Sequence, residues 1–167
     1  MRLFISINFD DNTKEKILAV QNRLRQKGRG RFTSPENLHL TLAFLGEVDE
    51  AGIPEIKAVM DSLTVQEMRL IFSHIGYFKR DSELWWIGAE ADAELMELQK
   101  DLIRGLKSSG FAPDDKRFRP HITLAREMHI GAADSKALLP KPFAAHVNSI
   151  HLMHSHHQNG KLIYTEI

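Results

Sequence analysis

Two short segments of the chain place a histidine and a threonine two positions apart. Residues 39–42 read HLTL and residues 121–124 read HITL. Alternating polar and apolar residues are typical of a β-strand, in which residues i and i+2 point to the same face. The pattern therefore predicts one strand face that carries His39 and Thr41, and another that carries His121 and Thr123. We interpret the opposite, aliphatic faces as packed against helices, which leaves both His/Thr faces free to line a cleft.

A cleft with two imidazoles and two hydroxyls suits displacement at phosphorus. Histidine titrates near neutral pH, so one imidazole can accept a proton while the other donates one. The attacking and leaving oxygens lie roughly in line, which matches a base and an acid on opposite sides of the phosphorus. Threonine hydroxyls can donate hydrogen bonds to the non-bridging oxygens, and Arg119 and Arg126 carry the guanidinium group that pairs with phosphate. This chemistry needs no metal ion, and the repeated pattern does not distinguish the acid from the base.

The surroundings of the two segments are also repeated. A single His-x-Thr pattern is more typical of a structural histidine, but each copy here follows a strand, a helix, a basic loop and a proline. His39 follows Leu3 by the same 36 positions by which His121 follows Trp85. Equal offsets in the same order of elements predict an internal repeat.

The repeat predicts the domain organisation. Its units are about residues 1–83 and 84–167, and each is too small to be a comfortable independent domain. We therefore expect one domain, residues 1–167, in which two pseudo-symmetric α+β lobes, each an antiparallel sheet with helices, surround a central cleft.

Periodicity and capping residues predict the individual elements. Asn12 is expected to cap the first helix with Glu15 as its capping-box partner, and Gly28 to follow the helix end. Asp92 is expected to cap a strongly amphipathic helix that stops at Gly110. A further helix is predicted at 53–63, and strands at 3–9, 38–46, 65–72, 84–89, 121–126, 144–153 and 162–167.

Composition excludes several classes of protein. The chain has 22 Lys plus Arg, 22 Asp plus Glu and no cysteine, so thiolate metal sites, a cysteine nucleophile and disulfides are excluded. A formal net charge of zero argues against purely electrostatic wrapping of a long nucleic acid, although a local phosphate pocket stays possible. The sequence shows no signal-peptide pattern and no apolar run near the ~20 residues of a membrane span. We expect a cytoplasmic monomer without metal or other cofactor.

Several longer stretches resemble one known family. They are RLFISINF at the start, RFTSPENLHLTLAFLGEV around the first motif, RFRPHITLAR around the second, and LMHSHHQNGKLIYTEI at the end. The chain is identified by them as a member of the 2H phosphoesterase superfamily, in its RNA 2′,3′-cyclic phosphodiesterase branch, also called the 2′-5′ RNA ligase family. The resemblance covers essentially the whole sequence, and the extended flanks of both motifs make it specific.

The resemblance implies a reaction and a set of roles. The reaction is hydrolysis of an RNA or oligonucleotide 2′,3′-cyclic phosphate to a 2′-phosphomonoester, and tRNA fragments are candidate substrates. His39 would be the proton donor and His121 the proton acceptor, while Thr41, Thr123 and Arg126 would bind the phosphate. The family name also implies a reversible 2′-5′ ligation of RNA.

Two alternatives stay open at this point. One is a nucleotide-binding module without physiological turnover, and the other is a cyclic phosphodiesterase that acts on a small nucleotide. Strict alternation turns Phe44 and Arg126 away from the cleft, so we expect Phe44 in the core and a bulge if Arg126 is to reach the phosphate. Trp85 and Trp86 are expected on opposite faces, and the histidines of residues 151–157 on a solvated strand edge rather than at a metal.

Overall fold

The computed structural model describes residues 1–167 and shows an α+β fold. The helices are α1 (Asp11–Arg25), α2 (Ile53–Ser62), α3 (Ala93–Ser108) and the short α4 (Ser135–Leu138). The strands are β1 (Arg2–Asn8), β2 (Arg31–Phe32), β3 (His39–Glu47), β4 (Met68–Lys79), β5 (Glu83–Ala89), β6 (His121–Met128), β7 (Phe143–Val147), β8 (His151–Gln158) and β9 (Lys161–Glu166).

One antiparallel sheet organises the molecule. Its order is β7-β4-β5-β6-β3-β1-β8-β9, and β2 pairs with β6 outside this path. The two central strands, β3 and β6, are paired only at Leu40 and Ile122, which are the residues directly after the two motif histidines. Both side chains are fully buried. The sheet therefore consists of two four-stranded halves that meet where the two motifs begin.

Each half of the sheet combines strands from both parts of the sequence. β1 and β3 pair with β8 and β9 from the end of the chain, whereas β5 and β6 continue through β4 to β7. The helices likewise contact elements from the other part of the sequence: α1 contacts α4 and β7, and α3 contacts α2 and β3. The division into units at about residue 83 stays a prediction.

The helices bury the apolar stripes that the sequence predicts. α1 buries Ile17, Val20 and Leu24, and α3 buries a row of four leucines against the sheet. Burying one such side chain fully stabilises the fold by roughly 1.5–3 kcal/mol. The predicted Asp92 cap is confirmed, because its carboxylate accepts hydrogen bonds from the N–H groups of Glu94 and Leu95.

Three predicted boundaries are wrong. The cap of α1 is Asp10 rather than Asn12, because the Asp10 carboxylate accepts the Thr13 N–H at 2.8 Å and the helix already begins at Asp11. The predicted strand at 144–153 is two strands, β7 and β8, because the chain leaves one half of the sheet and enters the other between them. β4 starts later than predicted and continues seven residues beyond Phe72, to Lys79.

No helix of the structure combines the length and the apolar character that crossing a bilayer requires.

Candidate active site

His39 and His121 are the first residues of the two central strands. Their Nδ1 atoms lie 2.7 Å from the Asn37 carbonyl oxygen and 2.6 Å from the Arg119 carbonyl oxygen, respectively. A carbonyl oxygen only accepts hydrogen bonds, so each Nδ1 carries the proton and donates it. In the neutral ring, Nε2 then carries a lone pair that can accept a hydrogen bond or a proton. Both half-buried imidazoles are therefore held in the same tautomer by the backbone two residues earlier.

Burial and nearby positive charge lower the pKa of both imidazoles. The pKa of His39 is lowered to about 4, chiefly by burial and also by the charges of His121 and Arg126, while the Asn37 hydrogen bond opposes the shift. Burial and the Arg126 charge also lower the pKa of His121 below its ordinary value. Arg126 thus acts on both rings, which indicates that the two motifs face one cleft.

The threonines lie on the same strand faces as the histidines. Thr41 and Thr123 are half-buried, whereas the residues directly before and after each threonine are buried. The Thr41 hydroxyl donates to Nε2 of neutral His39 at 2.8 Å. The structure thus brings together both predicted histidines and both predicted threonines.

A bulge follows the motif in each central strand. Opposite β1, Ala43 and Thr41 pair with consecutive residues, so Leu42 has no partner. Opposite β5, Ala125 and Thr123 do the same, so Leu124 has no partner. Each extra residue reverses the alternation of side chains from that point on. Arg126 is therefore directed to the cleft side, as its effect on both histidines requires.

Two glutamine side chains donate hydrogen bonds to the carbonyl groups of the bulges, and the Leu124 carbonyl also accepts the Thr33 N–H at 3.0 Å. The amide of Gln21, a buried residue of α1, donates to the Leu124 carbonyl at 3.0 Å and to the Thr33 carbonyl at 2.8 Å. The amide of Gln99, on α3, donates to the Leu42 carbonyl at 3.2 Å. Sequence analysis missed both residues, because a glutamine inside an amphipathic helix carries no signal that it reaches a strand.

The first bulge overturns the prediction that Phe44 lies in the core. Its side chain is 52% exposed, which is unusual for a phenylalanine, and its ring centroid lies 6.3 Å from that of Phe4. Phe4 in turn lies 4.7 Å from the His39 ring. Phe44 is therefore an exposed aromatic side chain at the rim of the cleft.

Aromatic side chains form a wall beside each histidine. Tyr164 meets the His39 ring edge-on at 5.1 Å, while Phe78 and Trp86 lie 5.5 and 6.1 Å from the His121 ring. A Cβ at Gly76 would come within 2.6 Å of the Trp86 indole, so the glycine makes room for it. An isolated glycine in a strand is the one signal that could have pointed to this close approach. As predicted for the tryptophan pair, Trp85 is buried and Trp86 is partly exposed.

Two other predicted features differ from these side chains in what they contact. The Arg119 side chain is exposed, and its backbone carbonyl, rather than its guanidinium, contacts His121. Residues 151–157 lie in β8, where His151 pairs with Glu166 at 2.7 Å and His156 with Thr165 at 2.9 Å. No group of three or more histidine, aspartate or glutamate side chains is placed to hold a metal ion.

The sequence as a whole matches a described family. A model of the 2′-5′ RNA ligase superfamily matches residues 10–159, which include both motifs and all the cleft residues except Phe4 and Tyr164. The chain belongs to the 2′-5′ RNA ligase superfamily. The family resemblance expected from the sequence is thereby confirmed.

Individual members of the superfamily agree with this assignment. The RNA 2′,3′-cyclic phosphodiesterase of Archaeoglobus fulgidus is 34% identical over 128 residues, which are 75% of this chain and 72% of that one. The protein of the same name from Thermotoga maritima is 37% identical over 131 residues, or 75% and 70% of the two chains.

The fold agrees with a solved structure of the superfamily. The crystal structure of E. coli LigT in its apo form matches with a TM-score of 0.84 and 25% identity, over 99% of this chain and 94% of that one. A LigT complex with 3′-AMP matches with a TM-score of 0.82. The predicted α+β fold of this superfamily is confirmed.

Proposed function

We propose that this superfamily member is an RNA 2′,3′-cyclic phosphodiesterase that forms a 2′-phosphomonoester without a metal ion. The observation that carries the proposal is the pair of His39 and His121, each with Nδ1 fixed on a backbone carbonyl and Nε2 left to exchange protons. Relatives that cover three quarters of the chain carry the name RNA 2′,3′-cyclic phosphodiesterase, which supports the same reaction.

The proposed step uses one histidine as base and the other as acid. Nε2 of His121 takes a proton from water while the water oxygen forms a bond to phosphorus. The bond between phosphorus and O3′ breaks, and Nε2–H of His39 donates its proton to O3′. The product keeps the phosphate on O2′, and the two histidines have exchanged protonation states. Proton exchange with solvent restores them.

The remaining cleft residues are proposed to bind the phosphate. The hydroxyls of Thr41 and Thr123 donate to the non-bridging oxygens, where negative charge increases in the transition state. The guanidinium of Arg126 faces the same charge, and its influence on both histidines supports this placement. Arg119 contributes the carbonyl that orients His121, and we assign its exposed side chain to a phosphate beyond the reacting one.

The low pKa of His39 has to be reconciled with a role as proton donor. In the free cleft burial holds the ring neutral at pH 7, since its pKa lies at about 4. A bound cyclic phosphate brings a negative charge next to the ring, and a nearby opposite charge favours the protonated imidazole. Substrate binding is therefore proposed to supply the proton-donating form of His39.

The proposed partner is an RNA or oligonucleotide that ends in a 2′,3′-cyclic phosphate, with tRNA fragments among the candidates. The same displacement with an RNA 5′-hydroxyl in place of water would join a 2′,3′-cyclic end to that hydroxyl as a 2′-5′ linkage and release O3′ as a hydroxyl, in line with the superfamily's name. A cytoplasmic location and a monomeric state complete the proposal and rest on composition alone.

The test is product identity. The purified protein is incubated with EDTA and a short oligoribonucleotide that ends in a 2′,3′-cyclic phosphate, and the product is compared with 2′- and 3′-phosphate standards. We expect complete conversion to the 2′-phosphate at a rate that EDTA does not change. Formation of the 3′-phosphate would contradict the assigned geometry, and loss of turnover in EDTA would contradict metal independence.

A second candidate function is nucleotide binding without turnover. The LigT complex with 3′-AMP supports it, as does the exposed ring of Phe44, which offers a stacking surface to a base at the cleft rim. Tight binding of a nucleotide together with no turnover of any cyclic phosphate would favour this alternative. Turnover of a mononucleoside 2′,3′-cyclic phosphate in preference to the oligonucleotide would instead indicate a small-nucleotide phosphodiesterase.

A further inference from the structure

We propose that a groove beside the cleft binds the phosphodiester backbone of the RNA strand on the 5′ side of the terminal cyclic phosphate. This inference rests on the proposed function and extends it from the reacting group to the strand. The groove has a volume of about 580 Å³, and we call it the basic groove. It is lined by Lys27, Gly28, Arg29, Gly30, Arg31, Glu127, His129 and Ile130.

The basic groove carries unpaired positive charge. The chain as a whole has no net charge, yet three basic side chains and one acidic side chain line this groove. The acidic one, Glu127, lies 3.5 Å from Arg31 and partly neutralises it. Lys27 and Arg29 are exposed and form no ion pair. An RNA backbone can therefore displace counter-ions from both residues without breaking a contact within the protein.

Close packing holds the wall of the groove in place. A Cβ at Gly28 would come within 2.3 Å of the Ile130 side chain, and one at Gly30 within 2.8 Å of the Arg126 carbonyl oxygen. On the other side, the carboxylate of Glu83, which is 1% exposed, accepts the N–H groups of Ile130 and Gly131. The two walls of the groove are thus attached to each other and to β5.

The groove is also continuous with the cleft. In the pairing of β2 with β6, Arg31 lies directly opposite Arg126. Paired residues of antiparallel strands have Cα atoms about 4.5–5.5 Å apart. Arg31 therefore connects the groove to the arginine that acts on both site histidines. A cyclic phosphate stands at the 3′ end of an RNA, so the strand leaves the cleft only in the 5′ direction. The groove offers this strand positive charge next to the cleft.

The test compares substrates that differ only in strand length. Uridine 2′,3′-cyclic phosphate and a short oligouridylate with the same cyclic end are assayed with the wild type and with the double variant Lys27→Gln/Arg29→Gln. The matched control is Lys57→Gln/Lys100→Gln, which removes the same charge from exposed positions on α2 and α3. Binding of a 3′-phosphorylated oligouridylate is measured in parallel by fluorescence anisotropy.

We expect the groove variant to lose about tenfold in kcat/KM for the oligonucleotide and to stay within about twofold for the mononucleotide. The plot of its log affinity against log salt concentration should become shallower by about 1.4, since the variant loses two phosphate contacts and each contributes about 0.7 on a single strand. Equal losses on both substrates, or a loss as large in the control variant, would contradict the proposed role of the groove in binding the RNA strand. A groove-dependent loss of binding in a protein without turnover would support the groove and contradict the proposed function.

Discussion

At the scale of single residues, the properties of the site depend on how two backbone carbonyls hold two imidazoles. The Asn37 and Arg119 carbonyls fix the tautomers of His39 and His121, and burial keeps both rings neutral. A base with a low pKa is fully available at neutral pH, whereas an acid with a low pKa needs help from the substrate's charge. The two histidines therefore share one tautomer, and their proposed roles as acid and base separate when the phosphate binds.

This difference predicts the pH dependence of turnover. One imidazole must be neutral and the other protonated, so the productive fraction is largest between the two pKa values and falls on both sides. Both pKa values lie below the ordinary 6.5, with that of His39 at about 4, so kcat/KM should peak below pH 6.5. The bound anion raises both values, so kcat should peak at a higher pH than kcat/KM. Initial rates across pH test this, and a kcat/KM maximum at or above pH 7 would contradict it.

At the scale of elements, the bulges at Leu42 and Leu124 decide which side chains reach the cleft. They turn Phe44 outward and Arg126 toward the cleft. Alternation predicted the positions of the histidines and threonines correctly because these residues precede the bulges. It misplaced Phe44 because the extra residue leaves no mark on the local pattern of apolar and polar residues.

The buried amide of Gln21 is expected to hold the second bulge and, through it, the direction of Arg126. Methionine has a similar size but no donor, so Gln21→Met should lower kcat/KM by about tenfold and cost roughly 1–3 kcal/mol of unfolding free energy. If Gln21 acts through Arg126, the substitution should have almost no further effect on kcat/KM in an Arg126→Gln background.

The control for this double-mutant comparison is Gln99→Met, since the amide of Gln99 donates to the other bulge. Its effect should multiply with that of Arg126→Gln, because the two changes act on different strands. Multiplicative effects for Gln21→Met as well would show that this glutamine contributes only to general stability.

At the scale of the whole molecule, the exchange of strands between the two halves makes one site from two motifs. β8 and β9 complete the half that carries His39, and β4 and β7 complete the half that carries His121. Tyr164 on β9 and Phe78 on β4 therefore reach the two histidines from distant parts of the sequence. The repeat in the sequence predicted two facing motifs, but pairing between distant strands cannot be inferred from local periodicity, so both aromatic walls were missed.

The central claim is that His39 and His121 form one acid–base pair, and single-turnover hydrolysis of the cyclic-phosphate oligonucleotide tests it most directly. His39→Asn and His121→Asn keep a donor near the position of Nδ1 and remove Nε2, while His146→Asn changes an exposed histidine of β7 as a control. Each site variant should lose about 10²–10⁴-fold in rate, the double variant should lose little more, and the control should match the wild type. A site variant that keeps the full rate, or losses that multiply in the double variant, would contradict a shared site.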